Sequence, residues 1–281
     1  MSARVSVLMC VHNGLALTRA CLDSLCAATE PFELVVVDNA STDQTPAFFA
    51  RASYPFPIRY RREERNEAVI ARLNTAWRLA TTDHLCFLHN DTEMIEPAWL
   101  ARLLAALAEP RAGLAGLYGA KRLRRDGRLM GRTIVHALAE GPTVRPPWEE
   151  VAFVDSVCMC LRRDVLEAVG GFDEGYGFYH GHDRDLSLAV RETGRRCLVA
   201  YAPFHHRGGG TRAHEFGARP DRERADLDLR TAAMARFARK WAHRLPCDVR
   251  SLRERVRDWV RTTARGRVSR AGDPFVRRWT G

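Results

Sequence analysis

The chain of 281 residues is 46% apolar and 28% charged, which excludes a disordered or fibrous protein and leaves one large hydrophobic core or two modest ones. Its net charge of +10 lies entirely in residues 219–281, where 18 Lys and Arg face 8 Asp and Glu, so we predict a basic appendage rather than a nucleic-acid-binding fold. No apolar run approaches the roughly 18 residues of a membrane span, and Met1–Arg4 leads into a strand-like run without a signal-peptide core, which predicts a cytoplasmic protein.

Strand-like and helix-like segments alternate through residue 118. Val5–Val11 and Phe32–Val37 are largely apolar runs and Ile58–Tyr60 is a short one, as in strands buried on both faces of a parallel sheet. Apolar residues at helical spacing follow the first strand and recur over Asn66–Leu79. Because helices of this length connect parallel strands, the pattern predicts an α/β fold with a parallel sheet.

The stretch His84–Met94 is the centre of this pattern. It begins as a fourth apolar strand and breaks abruptly into polar residues, before a helix predicted over Pro97–Leu107 and a fifth strand over Gly113–Tyr118. Ligands of open α/β sheets bind just beyond the carboxyl ends of the strands, so Asp91 is placed to reach a hard metal ion on a diphosphate. On this stretch alone, a turn in which Asn90 and Asp91 cap the next helix explains the residues equally well.

The pattern changes after residue 119. Asp126-Gly127 predicts a hairpin turn, and Val151–Leu161 is interpreted as one strand. An amphipathic helix is predicted over Asp183–Thr193 and a further short strand over Cys197–Ala202. Residues 119–218 therefore differ in organisation from residues 1–118.

Two helices are predicted in the basic segment. The first carries an apolar stripe that is expected to pack on the protein's own body. Its members are Leu227, Met234, Phe237, Ala238, Trp241 and Leu245. The second carries a stripe with arginines around it, formed by Val249, Leu252, Val256, Trp259 and Val260. A Trp-bearing stripe with arginine flanks fits an interfacial helix on an anionic membrane, and packing on the body or on a second subunit explains it equally well.

Carboxylates and histidines recur where loops follow predicted strands. They are Asp38, Asp43, Asp91, Asp183, Asp185, His205 and His206. Asp is common in turns, yet several such residues around an acidic strand end indicate metal-dependent phosphate chemistry.

Five motifs stand in a fixed order along the chain. They are Val5–Asn13, Val35–Asp43 (VVVDNASTD), Asn66–Asn74, Leu88–Thr92, and Gly170–Glu174 (GGFDE) leading to Asp183–Leu188 (DRDLSL). In this order they resemble the family 2 glycosyltransferases of the GT-A fold, in their rhamnosyltransferase-like branch, from about Val5 to Arg212. The resemblance implies an inverting transfer of one sugar from a nucleotide-sugar donor to a hydroxyl acceptor.

The resemblance also implies a domain plan. A GT-A domain would cover residues 1–218 as a Rossmann-like, mostly parallel sheet with helices on both faces. Its nucleotide-sugar-binding half would be residues 1–118 and its acceptor and catalytic half residues 119–218. Residues 219–281 would follow as a basic helical segment.

The donor implied by the resemblance is a UDP-, dTDP- or GDP-sugar. The residues that match the family's donor site are Val11, Asn13, Asp38, Asn66, Asn90 and Arg212. Arg212 ends the glycine-rich loop Gly208–Arg212, which looks like a loop that closes over the diphosphate.

The resemblance implies Mg²⁺ or Mn²⁺ as the cofactor. Asp91 matches the family's metal-binding carboxylate, and either His205 or His206 matches a histidine that contacts the metal or the diphosphate. The sequence departs from the fuller acidic motif, because His89 and Asn90 stand where some members carry Asp. A single carboxylate would either weaken metal binding or leave most of the coordination to phosphate and water.

Asp183 matches the family's general base, which takes a proton from the acceptor hydroxyl as its oxygen attacks the anomeric carbon. Asp185 is the second candidate for this role. His182 stands where Glu often precedes the base, and it either assists the base or is a loop histidine without a role.

Two other functions are compatible with the sequence. A sugar-phosphate nucleotidyltransferase also uses an α/β sheet and a divalent metal, but residues 12–15 (HNGL) lack the cation of its phosphate loop. A degenerate, non-catalytic nucleotide-sugar-binding module, tethered by its basic tail, is favoured by His89 and His182, whereas Asp91 and Asp183 argue against it.

For the enzyme, the partners we expect are a hydroxyl acceptor, such as a lipid-linked or polysaccharide glycan, and no nucleic acid. Peripheral membrane contact through residues 246–281 and a homodimer are the two further partners considered, because the stripe of the second basic helix fits either surface. Such contact would place the protein at the inner face of the membrane.

Overall fold

A mostly parallel eight-stranded sheet with helices on both faces forms the body of the protein in a computed structural model, which describes residues 3–130, 133–135, 147–207 and 220–264. The strands of this sheet and of smaller ones are β1 (Val5–Val11), β2 (Phe32–Asp38), β3 (Ile58–Arg62), β4 (His84–Leu88), β5 (Thr92–Met94), β6 (Ala112–Gly116), β7 (Tyr118–Ala120), β8 (Arg122–Leu123), β9 (Thr133–Val135), β10 (Trp148–Val151), β11 (Phe153–Val154), β12 (Cys158–Arg162), β13 (Arg196–Ala200), β14 (Phe204–His206) and β15 (Cys247–Asp248). The helices are α1 (Leu15–Leu25), α2 (Thr45–Phe49), α3 (Val69–Leu79), α4 (Trp99–Leu107), α5 (Arg163–Ala168), α6 (His182–Glu192), α7 (Pro220–Lys240) and α8 (Leu252–Ala264).

The strands of the large sheet lie in the order β10-β13-β6-β12-β4-β1-β2-β3. β1 is parallel to β2 and β4, and β2 to β3, whereas β12 runs antiparallel to β4 and β6. The register pairs Val11 with Asp38 at the ends of β1 and β2, and Leu88 at the end of β4 with Cys158 at the beginning of β12. The loops after β1, β2 and β4 and the loop before β12 therefore meet along one edge of the sheet, where ligands of such sheets bind.

Both faces of the large sheet are buried. Leu22 of α1 and Trp99 of α4 pack on one face, and Ile70 of α3, Leu166 of α5 and Leu186 of α6 pack on the other. Strands between two helical layers carry apolar side chains on both sides, which is why β1, β2 and β4 are continuous apolar runs in the sequence. The predicted α/β fold with a mostly parallel sheet is confirmed.

The prediction of a single strand over Val151–Leu161 is wrong. The segment holds the end of β10, all of β11 and most of β12, with breaks at Ala152 and at residues 155–157. The apolar pattern continues through the second break because Val154 before it and Val157 within it are buried. The second break places Asp155 at the same edge as the carboxyl end of β4.

Two strands of three residues, β5 and β14, occupy segments for which the sequence predicts loops. They pair antiparallel, with His206 opposite Thr92 and Phe204 opposite Met94. Such short strands contain too few residues for an alternating pattern to be read. Their pairing joins the segment after β4 to the segment after β13.

The C-terminal segment is anchored on the body through α7 and β15, and Lys121 of the body donates a hydrogen bond to Glu254 of α8. Ala233, Phe237 and Trp241 are buried in the core beside α6, as predicted for the first basic helix, and β15 pairs with β8. The predicted stripes are wrong at two positions: Leu227 of α7 is 60% exposed, and Val249 lies before the first residue of α8. In α8, by contrast, Leu252 is 77% exposed and Val256 is 52% exposed. Within the described ranges, the helices are too short or too polar to cross a lipid bilayer.

Candidate active site

Hydrogen bonds join the loops that follow β1 and β2. The side-chain oxygen of Asn13 accepts hydrogen bonds from the amides of Thr42 (2.7 Å) and Asp43 (3.1 Å). Asn66, in the loop before α3, accepts a 2.8 Å hydrogen bond from the side-chain amide of Asn39. These contacts bring Asn13 and Asn66, both predicted for the donor site, to the end of β2.

Asp38 is fully buried where β2 ends. One carboxylate oxygen accepts a hydrogen bond from the amide of Ser41 (2.8 Å), and the other accepts one from the hydroxyl of Tyr60. The guanidinium of Arg62 lies 4.0 Å from the second oxygen. These partners hold the Asp38 carboxylate in one orientation. Ser41, which donates to Asp38, also accepts a hydrogen bond from the amide of Asn13, so the two residues belong to one network.

The other residues predicted for the donor site are placed differently. The side chain of Val11 is buried in the core, while its carbonyl accepts a 2.8 Å hydrogen bond from the amide of Asn39. The side chain of Asn90 is buried and donates a 2.9 Å hydrogen bond to Thr18 of α1. Arg212 and the rest of the glycine-rich loop lie outside the described residues. The side chains of Val11 and Asn90 thus make contacts within the fold, and their part in donor binding stays a prediction.

His89, Asp91 and His206 form a cluster just beyond the end of β4. The Nε2 atom of His206 lies 3.0 Å from Oδ1 of Asp91, and Nδ1 of His89 lies 3.9 Å from the same oxygen. One ligand atom from each of the three residues lies within 4.8 Å of the others. Burial lowers the pKa of His89 to about 4, with an opposing effect from Asp91 and a further lowering by His206. A carboxylate and two imidazoles at this spacing can hold a divalent transition-metal ion.

The pairing of β14 with β5 distinguishes the two candidate histidines. Successive residues of a strand point to opposite faces, and here His206 is directed at Asp91 whereas His205 is exposed. The amide of Arg207 donates a 3.0 Å hydrogen bond to the carbonyl of Asp91, which fixes the two segments against each other. The geometry therefore favours His206 as a metal ligand.

We expect His206→Ala to weaken Mn²⁺-dependent nucleotide binding by at least tenfold, and His205→Ala to leave it within about twofold. Even an outer-shell partner of a metal ligand is worth about 10–100-fold in affinity, so a lost ligand should cost no less. Calorimetric titration of both variants with UDP, dTDP and GDP, each with Mn²⁺, measures the difference. Equal losses in the two variants would contradict the assignment.

Asp183 lies in the first turn of α6, where the helix dipole stabilises a negative charge. Its side chain is buried and accepts a 2.8 Å hydrogen bond from the amide of Arg184, whose guanidinium lies 3.7 Å away. The first turn of α6 thus holds the carboxylate of Asp183 at the edge of the site.

A second carboxylate, Asp155, lies close to Asp183. The amide of Val154 donates a 3.0 Å hydrogen bond to the hydroxyl of Ser187, which in turn donates one of 2.8 Å to the carbonyl of Asp183. Burial and the negative charge of Asp183 raise the pKa of Asp155 to about 6. A carboxylate whose pKa is shifted in this way beside another is frequent at catalytic sites.

Asp185 faces a different set of partners. Its carboxylate is buried and accepts hydrogen bonds from the hydroxyl of Tyr176 (2.8 Å), the indole nitrogen of Trp241 (2.7 Å) and the ammonium of Lys240 (3.0 Å). These three donors occupy the carboxylate, so Asp183 is the better placed of the two to accept a proton.

Two residues of the site are absent from the sequence-based assignment. In the sequence, His89 stands out only as a departure from an acidic motif, and its part in the cluster with Asp91 was not predicted. Its position directly before Asn90 and Asp91, at the same strand end, was the available signal. Asp155 is hidden within an apolar run, where the polar pair at 155 and 156 is the one available signal.

Sequence comparison relates the chain to one family. A family model described as Glycosyl transferase family 2 matches residues 6–170, more than half of the chain. The O-antigen biosynthesis protein RfbC of Myxococcus xanthus is 30% identical over 238 residues, an alignment that covers 75% of this chain and 18% of that protein. The chain spans less than half the length of the curated relatives it matches.

Solved structures that share the fold include two that contain Mn²⁺. GalNAc-T7 in complex with UDP, GalNAc and Mn²⁺ superposes with a TM-score of 0.60 at 15% identity, over 73% of this chain and 44% of that one. The mannosyltransferase PcManGT from Pyrobaculum calidifontis, in complex with GDP-Man and Mn²⁺, superposes with a TM-score of 0.55 at 19% identity, over 94% of this chain and 81% of that one. At these identities the likeness concerns the fold, and it confirms the GT-A architecture.

Proposed function

The chain belongs to glycosyl transferase family 2, and we propose that it transfers one sugar from a nucleoside-diphosphate donor to a hydroxyl acceptor with inversion at the anomeric carbon. The observation that carries the proposal is that one edge of the sheet holds both the Asp91–His206 pair and the buried carboxylate of Asp183. The two structures that share the fold contain UDP and GDP-Man, which supports a nucleotide-sugar donor.

The cluster of His89, Asp91 and His206 is proposed to hold a divalent ion. When bound there, the ion supplies positive charge to the diphosphate of the departing nucleotide. Two imidazole nitrogens favour a transition-metal ion over Mg²⁺, which prefers oxygen ligands. The GalNAc-T7 and PcManGT structures both contain Mn²⁺. We therefore assign Mn²⁺ rather than Mg²⁺ to this site.

Asn13, Asp38 and Asn66 are proposed to contact the base and the ribose of the donor. A carboxylate at the end of the second strand can accept a hydrogen bond from a base N–H or a ribose hydroxyl, and the loop network holds the two asparagines beside it. Arg212 is assigned to the diphosphate because a guanidinium forms charge-assisted hydrogen bonds with phosphate oxygens.

Asp183 is proposed to act as the general base. Its carboxylate takes the proton of the acceptor hydroxyl while the hydroxyl oxygen bonds to the anomeric carbon. The bond from that carbon to the diphosphate oxygen breaks in the same displacement, and the nucleoside diphosphate leaves with the bonding electrons. A single displacement of this kind inverts the anomeric configuration.

The proposed acceptor is the hydroxyl of a saccharide, either on a lipid carrier or at the end of a polysaccharide. The name of RfbC, a protein of O-antigen biosynthesis, supports this class of acceptor. The experiment is to incubate the protein with Mn²⁺, UDP-, dTDP- and GDP-sugars and saccharide acceptors, and to determine the anomeric configuration of any product by NMR. A product that retains the configuration of the donor would overturn the mechanism, and pyrophosphate release from a nucleoside triphosphate would instead indicate a nucleotidyltransferase.

We also propose that α8 rests on an anionic membrane surface. Leu252 and Val256 are exposed one turn apart, and Arg253, Arg255 and Arg257 lie between and beside them. Apolar side chains with arginine flanks fit the boundary between acyl chains and anionic head groups. Such contact would bring the site near a lipid-linked acceptor.

The double change Leu252→Glu and Val256→Glu is expected to weaken binding to vesicles of phosphatidylcholine and phosphatidylglycerol about tenfold or more, because it removes the side chains that would insert and adds repulsion. Leu227→Glu on α7, where Leu227 is 60% exposed, is the matched control and should bind as the wild type does. Vesicle sedimentation gives the affinities. Unchanged binding would contradict membrane contact through α8, and a dimer that dissociates in the double variant would show that α8 contacts protein instead.

A further inference from the structure

We infer that helix α7 holds the turn that carries the proposed base, so that the C-terminal segment is a working part of the active site. The inference rests on the assignment of Asp183 as the base. The turn consists of residues 177–183, between the short 3-10 helix Glu174–Tyr176 and the first turn of α6. Contacts from both ends of α7 reach this turn or the residues that border it.

The N-terminal part of α7 contacts the turn through Asp226. This carboxylate is buried, lies 3.0 Å from Nε2 of His180 and accepts a hydrogen bond from the hydroxyl of Tyr179. His180 and Tyr179 are three and four residues before Asp183. Because a buried carboxylate needs such partners, Asp226 links α7 to the segment that leads to Asp183.

The C-terminal end of α7 contacts the residues on both sides of the turn. Lys240 donates hydrogen bonds to Asp185 (3.0 Å) and Asp173 (2.8 Å), and the indole of Trp241 donates to Asp185 (2.7 Å). Although burial opposes the change, hydrogen bonds from Lys240 and Arg236 lower the pKa of Asp173 to about 2. Asp185 is two residues beyond Asp183, and its amide donates a 3.0 Å hydrogen bond to the carbonyl of residue 181, which closes the first turn of α6.

Gly181 shows how closely the turn is enclosed. Its backbone is left-handed, with φ of 82°, a conformation that suits glycine. A Cβ atom at this position would lie 2.9 Å from the ring of Tyr176 and 3.7 Å from the Cβ of Ala233 on α7. The backbone of the turn is therefore confined between the Tyr176 ring and α7, and this confinement fixes the position of Asp183.

These contacts make Trp241, Lys240 and Asp226 positioning residues rather than catalytic ones. Each acts on Asp183 through a neighbour: Asp185 for the first two, and the Tyr179–His180 pair for the third. The donor loops after β1 and β2 make their own network, so loss of an α7 contact should move the base and leave nucleotide binding intact.

The experiment compares Trp241→Phe, which removes the indole donor and keeps an aromatic ring, and Asp226→Asn with the control Arg239→Ala, an exposed position on the same helix. Hydrogen exchange is followed over residues 177–186. The rate of Mn²⁺-dependent hydrolysis of UDP-glucose, dTDP-rhamnose and GDP-mannose is measured across pH, together with the Kd of each nucleoside diphosphate.

For Trp241→Phe and Asp226→Asn we expect exchange over residues 177–186 to be at least tenfold faster, kcat to fall about tenfold and its pH profile to shift, with Kd within twofold of the wild type. The control should match the wild type in all of these. Unchanged exchange over this segment overturns the inference, and so does faster exchange with an unchanged kcat, because the contacts would then be merely structural. An Asp183→Asn variant that retains full activity would instead refute the assignment of Asp183 as the base. The exchange data would still test whether α7 holds residues 177–183 in place.

Discussion

Asp183→Asn is expected to lower the rate of sugar transfer by about 10²–10⁴-fold, the usual contribution of a general base. The amide cannot take the proton of the acceptor hydroxyl. Asn fits the space of Asp and still accepts the hydrogen bond from the amide of Arg184 at its side-chain oxygen, so the first turn of α6 should persist. The nucleotide should bind as in the wild type, because none of the donor loops contacts Asp183 among the residues described. The measurement is kcat, with the Kd of the nucleotide from calorimetry.

Asp185→Asn is the matched comparison, because it removes the same charge two residues further along the same helix. The free energy of unfolding should fall by about 1–3 kcal/mol as the donors from Trp241, Lys240 and Tyr176 lose a charged partner. Because Asp185 links α7 to the turn that carries Asp183, kcat should also fall, by about the tenfold expected for Trp241→Phe and far less than in Asp183→Asn. A full loss of transfer in Asp185→Asn together with an active Asp183→Asn would reverse the assignment of the base.

Asp91→Asn is expected to remove the dependence of nucleotide binding on Mn²⁺. Asp91 is the one carboxylate of the described His89–Asp91–His206 cluster, so the change leaves no negative charge among those ligands. We expect Kd to rise about 100-fold, or about 2.8 kcal/mol. Removal of the metal with EDTA from the wild-type protein should reproduce the loss, and EDTA should have no further effect on the variant.

Glu93→Gln provides the control for this change. It removes a carboxylate two residues further along the chain, on β5, where Glu93 forms an ion pair of 2.7 Å with Arg207. Nucleotide affinity should remain within about twofold of the wild type. A wild-type protein that binds none of UDP, dTDP and GDP with Mn²⁺ would instead favour the degenerate binding module.

The sequence was sufficient to place Asp38 and Asp91 at one edge of the sheet, because each follows directly on a strong apolar run. It could not decide between His205 and His206, since the choice depends on which of the two side chains of β14 points towards Asp91. The pairing of β14 with β5 determines this. Pairing between segments so far apart leaves no local pattern. Asp155 was missed for a similar reason, as the apolar residues on either side of it continue the pattern of one strand.

The C-terminal helix was predicted in one respect and not in another. The stripe that includes Phe237 and Trp241 has helical spacing, so burial on the body could be foreseen. The roles of Asp226 and Lys240 could not, because a charged residue on a helix is usually solvated and its partner is chosen by tertiary packing. The partners of these two residues lie near Asp183, which is remote in the sequence.

Because the proposed metal cluster depends on the pairing of β5 with β14, we expect it to form late in folding. Contacts between residues distant in sequence form only after the entropy of closing the intervening chain has been overcome. Fragments that end at residue 118 would keep Asn13, Asp38 and Asp91 and would lack His206 altogether. A nascent chain would therefore present the proposed donor site with His89 and Asp91 but without His206, the third proposed metal ligand. Its affinity for Mn²⁺ would reach the full value only when residues 119–218 had joined residues 1–118. Metal titration during refolding would thus report assembly of the two halves, and mixing complementary fragments would restore the affinity that each fragment lacks.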